Sequence, residues 1–310
     1  MYKQFFGLQA NPFNVSPDPR YLLLTPPAEE ALACLTYGIQ TRRGFILLTG
    51  EVGTGKTTLI HKLLDWLRAQ GVPTAYSFNS LLDSSQLLQF ILADLGLSPT
   101  QGDSKTRILL ELYNFLLERF RAGRTTVLII DEAQSLSQEL LEEIRLLTNF
   151  ETATEKLLQV VLVGQPELEA KIKQPELRAL RQRIALRAKL YPFTLDETGQ
   201  YIARRLQVAG ANGNTIFDPT AVEAVYRHSE GIPRVINVLC EHALVSAFAD
   251  QQKTISADII ESIAVDFGVD SYASSAKENG KRAPKQDATE LVEALKGLAA
   301  LADHLNGVLE

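Results

Sequence analysis

The 310-residue sequence predicts an α/β fold with a parallel sheet flanked by helices, followed by a small all-α domain. Short apolar runs alternate with helical patterns of about 10 to 15 residues, which is typical of a parallel sheet buried between helices. One apolar run leads directly into a glycine-rich turn that opens an amphipathic helix. Beyond Pro192 the apolar runs stop and only helical periodicity remains. These observations separate an α/β part, residues 44–191, from a helical part, residues 192–268.

The glycine-rich turn lies in residues 45–59, which read FILLTGEVGTGKTTL. Its spacing, Gly50-x-x-x-x-Gly55-Lys56-Thr57, fits the P-loop pattern between a strand and a helix. Glycines allow successive N–H groups to point at a phosphate at a helix N-terminus. Lys56 adds a charge for the β- and γ-phosphates, and Thr57 adds a hydroxyl ligand for Mg²⁺. The predicted nucleotide-binding residues are Gly50, Glu51, Val52, Gly53, Thr54, Gly55, Lys56, Thr57 and Thr58.

The other elements follow in chain order. Residues 1–43 hold a lead rich in proline and aromatic residues, then a helix at about 27–40. The prolines favour an extended strap, which is either a packing element or one wall of an adenine pocket. Further strands are predicted at 73–78, 126–130 and 157–163. The helix after the glycine-rich turn ends near residue 71, and further helices span 84–95, 105–121 and 138–148. Ligands of such sheets bind beyond the carboxyl ends of the strands.

The helical part contains four predicted helices, at 196–209, 219–229, 233–249 and 257–266. Asp218 and Pro219 have the pattern of an N-cap followed by proline at the first helical position. Residues 269–287 are polar and without periodicity, which indicates a flexible linker. Residues 288–310 regain amphipathicity and predict a short helix that needs a partner.

Composition narrows the class of protein. The net charge of −6 gives no global sign of nucleic-acid binding. Cys34 and Cys240 lie in apolar helical surroundings, which favours reduced thiols and a cytoplasmic location. No run approaches the roughly 18 to 20 apolar residues that a membrane-spanning helix needs, so we predict no transmembrane segment.

Two carboxylates follow the apolar run at residues 126–130. Paired carboxylates at a strand end, in a chain with a P-loop, suit phosphate hydrolysis. We expect Asp131 to hold Mg²⁺ through its water shell, and Glu132 to orient and deprotonate the attacking water. The alternative is a charge pair at a helix N-terminus.

Six motifs occur in order: GEVGTGKTT, VLIIDEAQSL, LLTNFET, VVLVGQPEL, LRALRQRI and EGIPRVINVL. With the lead FFGLQANPF…PDPRYL, they resemble the AAA+ ATPases of the group that includes general secretion pathway protein A and the MSHA-pilus ATPase, over about residues 1–267. The resemblance implies a P-loop AAA+ fold in which residues 192–268 form a lid. It also implies Mg²⁺-dependent hydrolysis of ATP and a hexamer-like ring of identical subunits.

The resemblance implies further site residues. Gln165 occupies the sensor-1 region, where many relatives have Asn in contact with the γ-phosphate or the lytic water. Asn79 matches the residue that restrains the catalytic glutamate in related ATPases, or it is a turn residue. Arg234, in Gly231-Ile-Pro-Arg, resembles sensor 2, an arginine that reaches from the lid to the nucleotide.

An arginine finger, supplied to the ATP of the neighbouring subunit, is implied in the segment after Gln165. The candidates are Arg183 first and Arg181 second, among Arg178, Arg181, Arg183 and Arg187. A guanidinium supplied in trans stabilises charge on the transferred phosphoryl group. The alternative is a solvated basic face or a salt-bridge network.

These residues predict a ring ATPase that couples the ATP cycle to a secretion or pilus apparatus of the cell envelope. It would be cytoplasmic and peripheral at the inner membrane through a partner, with residues 288–310 as a docking element. The alternative is an ATP-dependent, DNA-associated adaptor similar to transposition and initiator AAA+ proteins, which the acidic total disfavours. A third possibility is a slow ATP switch that acts as a scaffold.

Overall fold

The computed structural model describes residues 2–77, 83–98, 104–211, 213 and 215–266. By their internal contacts these residues form two units. One comprises residues 29–49 and 63–189, called the sheet unit, and the other comprises residues 2–28, 50–62 and 190–266, called the helical unit. Each has its own apolar core.

The sheet unit is built on five parallel strands in the order β2-β3-β4-β1-β5. The strands are β1 (Phe45–Thr49), β2 (Thr74–Ser77), β3 (Thr126–Ile130), β4 (Leu158–Gly164) and β5 (Ile184–Lys189). Every residue of β1, β3 and β4 is buried, as expected for central strands covered on both faces. Because Thr49 pairs with Gly164 and Ile130 with Leu162, these three strands end at one edge of the sheet.

Twelve α-helices occur among the described residues: α1 (Tyr2–Phe6), α2 (Pro26–Gln40), α3 (Lys56–Ala69), α4 (Ser84–Asp94), α5 (Lys105–Arg121), α6 (Gln138–Leu147), α7 (Pro166–Ile172), α8 (Arg178–Arg183), α9 (Leu195–Val208), α10 (Pro219–Ser229), α11 (Pro233–Ala249) and α12 (Ala257–Asp266). Local sequence sets several of their starts. Asp83 and Thr194 form capping boxes before α4 and α9. Asp218 caps α10 with Pro219 at the first helical position, as the sequence predicts.

The core of the sheet unit joins the strands to the apolar faces of its helices. Leu128 and Val160 are among the strand residues in this core, with Leu88, Leu112 and Ile144 among the helix residues. Burying these side chains contributes roughly 1.5 to 3 kcal/mol each, which supplies most of the force that holds helices on a sheet.

The helical unit buries the N-terminal lead within its core. Phe6 and Phe13 are packed with Tyr201 and Leu239. The Phe13 ring meets that of Phe217 edge to face at 5.8 Å. The lead therefore acts as a packing strap of this unit.

The predicted parallel sheet flanked by helices, followed by a helical region, is confirmed. Among the α-helices and strands of the described residues, four were not predicted: α1, α7, α8 and the edge strand β5. The predicted linker 269–287, the predicted helix 288–310 and Asn79 lie outside the described residues. Among the helices of the described part, none is long and apolar enough to cross a membrane.

Candidate functional site

The glycine-rich loop lies between β1 and α3, as the P-loop pattern requires. Gly53 and Gly55 have φ of +80° and +93°, which side chains disfavour. Lys56 is only 6% exposed, and its ammonium group donates to the carbonyls of Gly50 at 2.7 Å and Glu51 at 2.9 Å. The loop is thus curled around a buried cation. Thr57 and Thr58 follow in the first turn of α3.

The same loop contacts the start of α11 within the helical unit. The backbone N–H of Arg234 donates to the Gly53 carbonyl at 3.2 Å. A Cβ on Gly53 would lie 2.8 Å from the Cβ of Arg234 and 3.0 Å from Ile232, so the two backbones meet closely because Gly53 has no side chain. Gly231 holds the turn before α11, with φ of +77° and its carbonyl accepting from the Phe193 N–H. The predicted sensor-2 segment is therefore bound to the loop through its main chain.

The two predicted carboxylates lie at the end of β3 in the sheet unit. Asp131 is 4% exposed. Its Oδ1 accepts from the Glu132 N–H at 2.9 Å, and its Oδ2 accepts from the Tyr76 hydroxyl at 3.3 Å. Burial raises the pKa of Tyr76, and the nearby Asp131 carboxylate raises it further, so this hydroxyl stays a donor. Tyr76 comes from β2, beside β3, and orients one oxygen of Asp131.

Glu132 is held by two amides. It has a left-handed backbone, with φ of +53°, which costs a non-glycine residue about 1 kcal/mol or more. Its Oε2 accepts from Gln134 Nε2 at 2.5 Å and from Gln165 Nε2 at 3.2 Å. Gln165 N-caps α7 at the end of β4, so the predicted sensor-1 residue and the predicted base are neighbours.

The candidate finger residues differ in their surroundings. Arg183 is half-buried, and its Nη1 lies near the Arg145 carbonyl (3.2 Å), Thr148 Oγ1 (3.0 Å) and Asn149 Oδ1 (2.7 Å) at the end of α6. Arg181 is exposed, and its Nη1 donates to the Lys173 carbonyl at 3.4 Å. The remaining two, Arg178 and Arg187, are also exposed.

Sequence reasoning did not single out Tyr76 or Gln134. Gln134 stands two residues after Glu132, within the motif VLIIDEAQSL, so its position was a usable signal. Tyr76 lies on a predicted strand, but its contact with Asp131 depends on which strands are neighbours. Among the described residues no group of three or more His, Cys, Asp or Glu side chains is arranged to hold a metal. Taken separately, Asp131 offers a buried carboxylate at the end of β3 and Thr57 a hydroxyl in the first turn of α3, both of them oxygen ligands of the kind that Mg²⁺ prefers.

Comparison with known proteins confirms the resemblance inferred from the motifs. Residues 39–172 match the family described as an AAA domain, so the chain contains an AAA domain. Over 261 residues the chain is 46% identical to General secretion pathway protein A of Aeromonas hydrophila. The match covers 84% of this chain and 47% of that protein, so the chain spans about half the length of this relative.

Solved structures support the same fold. The Aeropyrum pernix ORC2 protein, in ADPNP–ADP complexes, superposes with a TM-score of 0.60 at 18% identity, covering 81% of this chain and 70% of that one. Drosophila ORC bound to DNA gives a TM-score of 0.61 at 18% identity, covering 87% and 67%. At these identities the likeness concerns the fold alone.

Proposed function

Because the chain contains an AAA domain and is related to a general secretion pathway protein A, we propose that it is an ATP-hydrolysing AAA+ ATPase working as a ring of identical subunits. The ATP cycle is coupled to the assembly or operation of a secretion- or pilus-type apparatus of the cell envelope. The protein acts in the cytoplasm, at the inner membrane through a partner that residues 288–310 help to bind.

The observation that carries this proposal is the arrangement of Glu132. A carboxylate in a strained backbone, directly after a buried strand, is fixed at one oxygen by two amide donors. Strained backbone is retained where surrounding contacts over-determine it, and it clusters at functional sites. A fixed carboxylate beside a buried aspartate suits a base that orients a water for attack on phosphorus.

The remaining residues take the roles that hydrolysis needs. The backbone N–H groups of Gly50 to Thr58 and the ammonium of Lys56 would bind the ATP phosphates. Thr57 and Asp131 would hold Mg²⁺, which offsets the negative charge of the phosphates. Glu132 accepts a proton from water as the water oxygen bonds to the γ-phosphorus. The bond to the bridging oxygen breaks, and ADP and inorganic phosphate leave.

The contact between the P-loop and α11 links the proposed nucleotide-binding loop directly to the helical lid. Arg234 is joined to the loop by its main chain, and its guanidinium would reach the γ-phosphate as sensor 2. A change of charge in the loop then acts directly on the start of α11. We propose that the lid angle follows the nucleotide state through this segment.

The ring is proposed because AAA+ sites take an arginine from the neighbouring subunit. Arg181 is exposed and available to a neighbour, whereas Arg183 is bound to the end of α6. Arg183 either leaves those contacts on assembly or positions the segment that carries Arg181. Both remain candidates, and Gln165 and Asn79 remain candidates for sensing the γ-phosphate and restraining Glu132.

The alternative is an ATP-dependent, DNA-associated adaptor. One fold neighbour is an ORC bound to DNA, although that likeness extends to the fold alone. The net charge of −6 disfavours a surface that binds the phosphate backbone of DNA. Filter binding to duplex DNA at low and moderate salt separates the two, because the adaptor retains DNA with ATP present and the envelope ATPase does not.

The variant Glu132→Gln tests the proposed function. It removes the base but keeps an uncharged group of the same shape, so ATP binding should match wild type while hydrolysis falls about 100-fold or more. The variant should also accumulate as an ATP-bound assembly. Glu167→Gln, at an exposed glutamate in the first turn of α7, is the matched control. Hydrolysis at the wild-type rate by Glu132→Gln would contradict the proposal.

A further inference from the structure

A closed hydrogen-bond circuit joins Glu132, Gln134 and Gln165 in the sheet unit. The Gln134 side chain makes both of its links in this circuit: Oε1 accepts from the backbone N–H of Gln165 at 3.2 Å, and Nε2 donates to Glu132 Oε2 at 2.5 Å. The Gln165 side chain donates to that same Glu132 oxygen at 3.2 Å. One amide thus connects the backbone after β4 to the carboxylate after β3.

The orientation of the Gln134 amide is fixed by its partners. A backbone N–H is only a donor, so the atom of Gln134 that meets it must be the oxygen. The nitrogen then faces Glu132, where a carboxylate accepts. No exchange of the amide oxygen and nitrogen satisfies both contacts.

The turn that carries Gln134 is itself held in place. Ala133–Ser135 forms a single 3-10 turn. Lys171 of α7 donates its ammonium to the Gln134 carbonyl at 3.1 Å and also to the Leu136 carbonyl. A Cβ added to Gly164 would lie 2.8 Å from Gln134 Oε1, so the end of β4 leaves room for this side chain only because residue 164 is glycine. The turn, α7 and β4 together therefore determine where the amide points.

We propose that Gln134 is a positioning residue for the catalytic glutamate, linking it to the sensor-1 strand. Gln134 and Gln165 both bind Oε2, which fixes the plane of the carboxylate and leaves Oε1 to face the attacking water. A shift of the backbone at Gln165 is passed to Glu132 through one side chain. This inference rests on the proposed function, because it assigns the base role to Glu132.

Two substitutions at Gln134 separate the two links. Gln134→Glu retains an oxygen for the Gln165 N–H but removes the donor and places a like charge against Glu132. Gln134→Met fills similar space and removes both links. Gln138→Met is the matched control, because the Gln138 amide donates to Gln174 Oε1 at 2.7 Å on the exposed start of α6.

The first experiment measures the rate of ATP turnover and, separately, the affinity for an ATP analogue. We expect kcat to fall roughly 10- to 100-fold in both Gln134 variants, while the affinity for an ATP analogue stays within about twofold, because misplacing a reacting group affects the chemical step. The control variant should match wild type. If wild type turns over ATP and Gln134→Met has the same kcat, the inference is wrong, while the proposed function stands.

The second measurement needs no nucleotide. Hydrogen exchange of the Gln165 backbone amide, followed by NMR, should be roughly 3- to 10-fold faster in Gln134→Met, since one hydrogen bond is lost. It should be unchanged in Gln134→Glu and in the control. Unchanged exchange in Gln134→Met would overturn the link even in a protein that hydrolyses ATP. Absence of turnover in wild type, with the exchange pattern as expected, would contradict the proposed function and leave the link supported.

Discussion

Arg205 carries a buried guanidinium whose partners come from several distant parts of the chain. It is 4% exposed, in the core of the helical unit. Its guanidinium donates to the Tyr201 hydroxyl at 2.6 Å, the Asn237 side chain at 3.0 Å and the Asn14 carbonyl at 2.8 Å, and also to the Pro12 carbonyl. The rings of Phe13, Tyr21 and Tyr201 surround the charge, with centroids 4.7 to 6.0 Å away. This residue therefore fastens the N-terminal lead to α9 and α11.

Replacing Arg205 by Met should lower the free energy of unfolding of the helical unit by about 3 kcal/mol, because several buried acceptors lose their donor at once. Urea denaturation followed by circular dichroism measures the change, and limited proteolysis should cut the lead faster. Arg204→Met is the matched control, since the adjacent Arg204 is exposed. Equal stability of the two variants would show that Arg205 does not hold the lead.

Individual residues were predictable where a motif fixes their position in the fold. Asp131 and Glu132 follow an apolar run that is recognisable by itself, and the structure places them at the end of β3. Arg205 and Tyr76 carry no such local pattern, because their partners come from distant parts of the chain. The Asn14 carbonyl and the Tyr201 hydroxyl meet at one guanidinium only after folding.

At the scale of elements, β5 shows where periodicity was insufficient. Ile184–Lys189 reads IALRAK, and its burial alternates because it is an edge strand paired only with β1 in the described sheet. The central strands β1, β3 and β4 are apolar runs, which periodicity finds readily. Two basic residues in six made β5 resemble a polar connection. Charged side chains on edge strands discourage pairing between molecules. The two basic residues that made β5 hard to recognise in the sequence therefore also protect this edge of the sheet from such pairing.

The P-loop is an element whose shape depends on the start of α11. Gly53→Ala should lower the affinity for an ATP analogue roughly tenfold, because the new Cβ displaces Arg234 and the loop shifts with it, at a typical cost of 1 to 3 kcal/mol. Titration with a fluorescent nucleotide measures this change. Gly71→Ala is the control: it also has positive φ, at +62°, but its Cβ would meet nothing within 4 Å. Both variants should lose some stability through backbone strain, and only Gly53→Ala should lose affinity.

At the scale of the whole molecule, the lead packs with a helix more than two hundred residues away along the chain. The Tyr2 hydroxyl donates to Glu241 of α11 at 2.8 Å, and the side-chain amide of Asn11 donates to the same carboxylate at 3.1 Å. Burial raises the pKa of Tyr2 and the Glu241 carboxylate adds to the effect, so the donor is retained at neutral pH. Sequence patterns predicted a strap, but they did not indicate which surface it covers, since that depends on tertiary packing.

The shared active site that we propose predicts complementation between two inactive proteins. Glu132→Gln lacks the base but has intact arginines, and Arg181→Ala lacks the candidate finger but retains its own base. In an equal mixture about one interface in four should combine an intact base with an intact finger, if subunits exchange at random. The ATPase rate of the mixture should therefore exceed the mean rate of the two separate proteins severalfold.

The same mixture with Arg183→Ala identifies the finger. Rescue with one arginine variant and not the other assigns the role to that residue. The contacts of Arg183 with Thr148 and Asn149 make thermal unfolding of Arg183→Ala a necessary companion measurement.

The control is a mixture of Glu132→Gln with Lys56→Ala, in which both proteins keep the finger. The lysine acts in the active site of its own subunit, so every site in this mixture lacks either the base or the lysine. That mixture should recover no activity beyond its components unless subunit exchange alone alters the rate. If neither these two arginine variants nor their counterparts at Arg178 and Arg187 are rescued, the site is complete within one chain and the ring is not needed for hydrolysis.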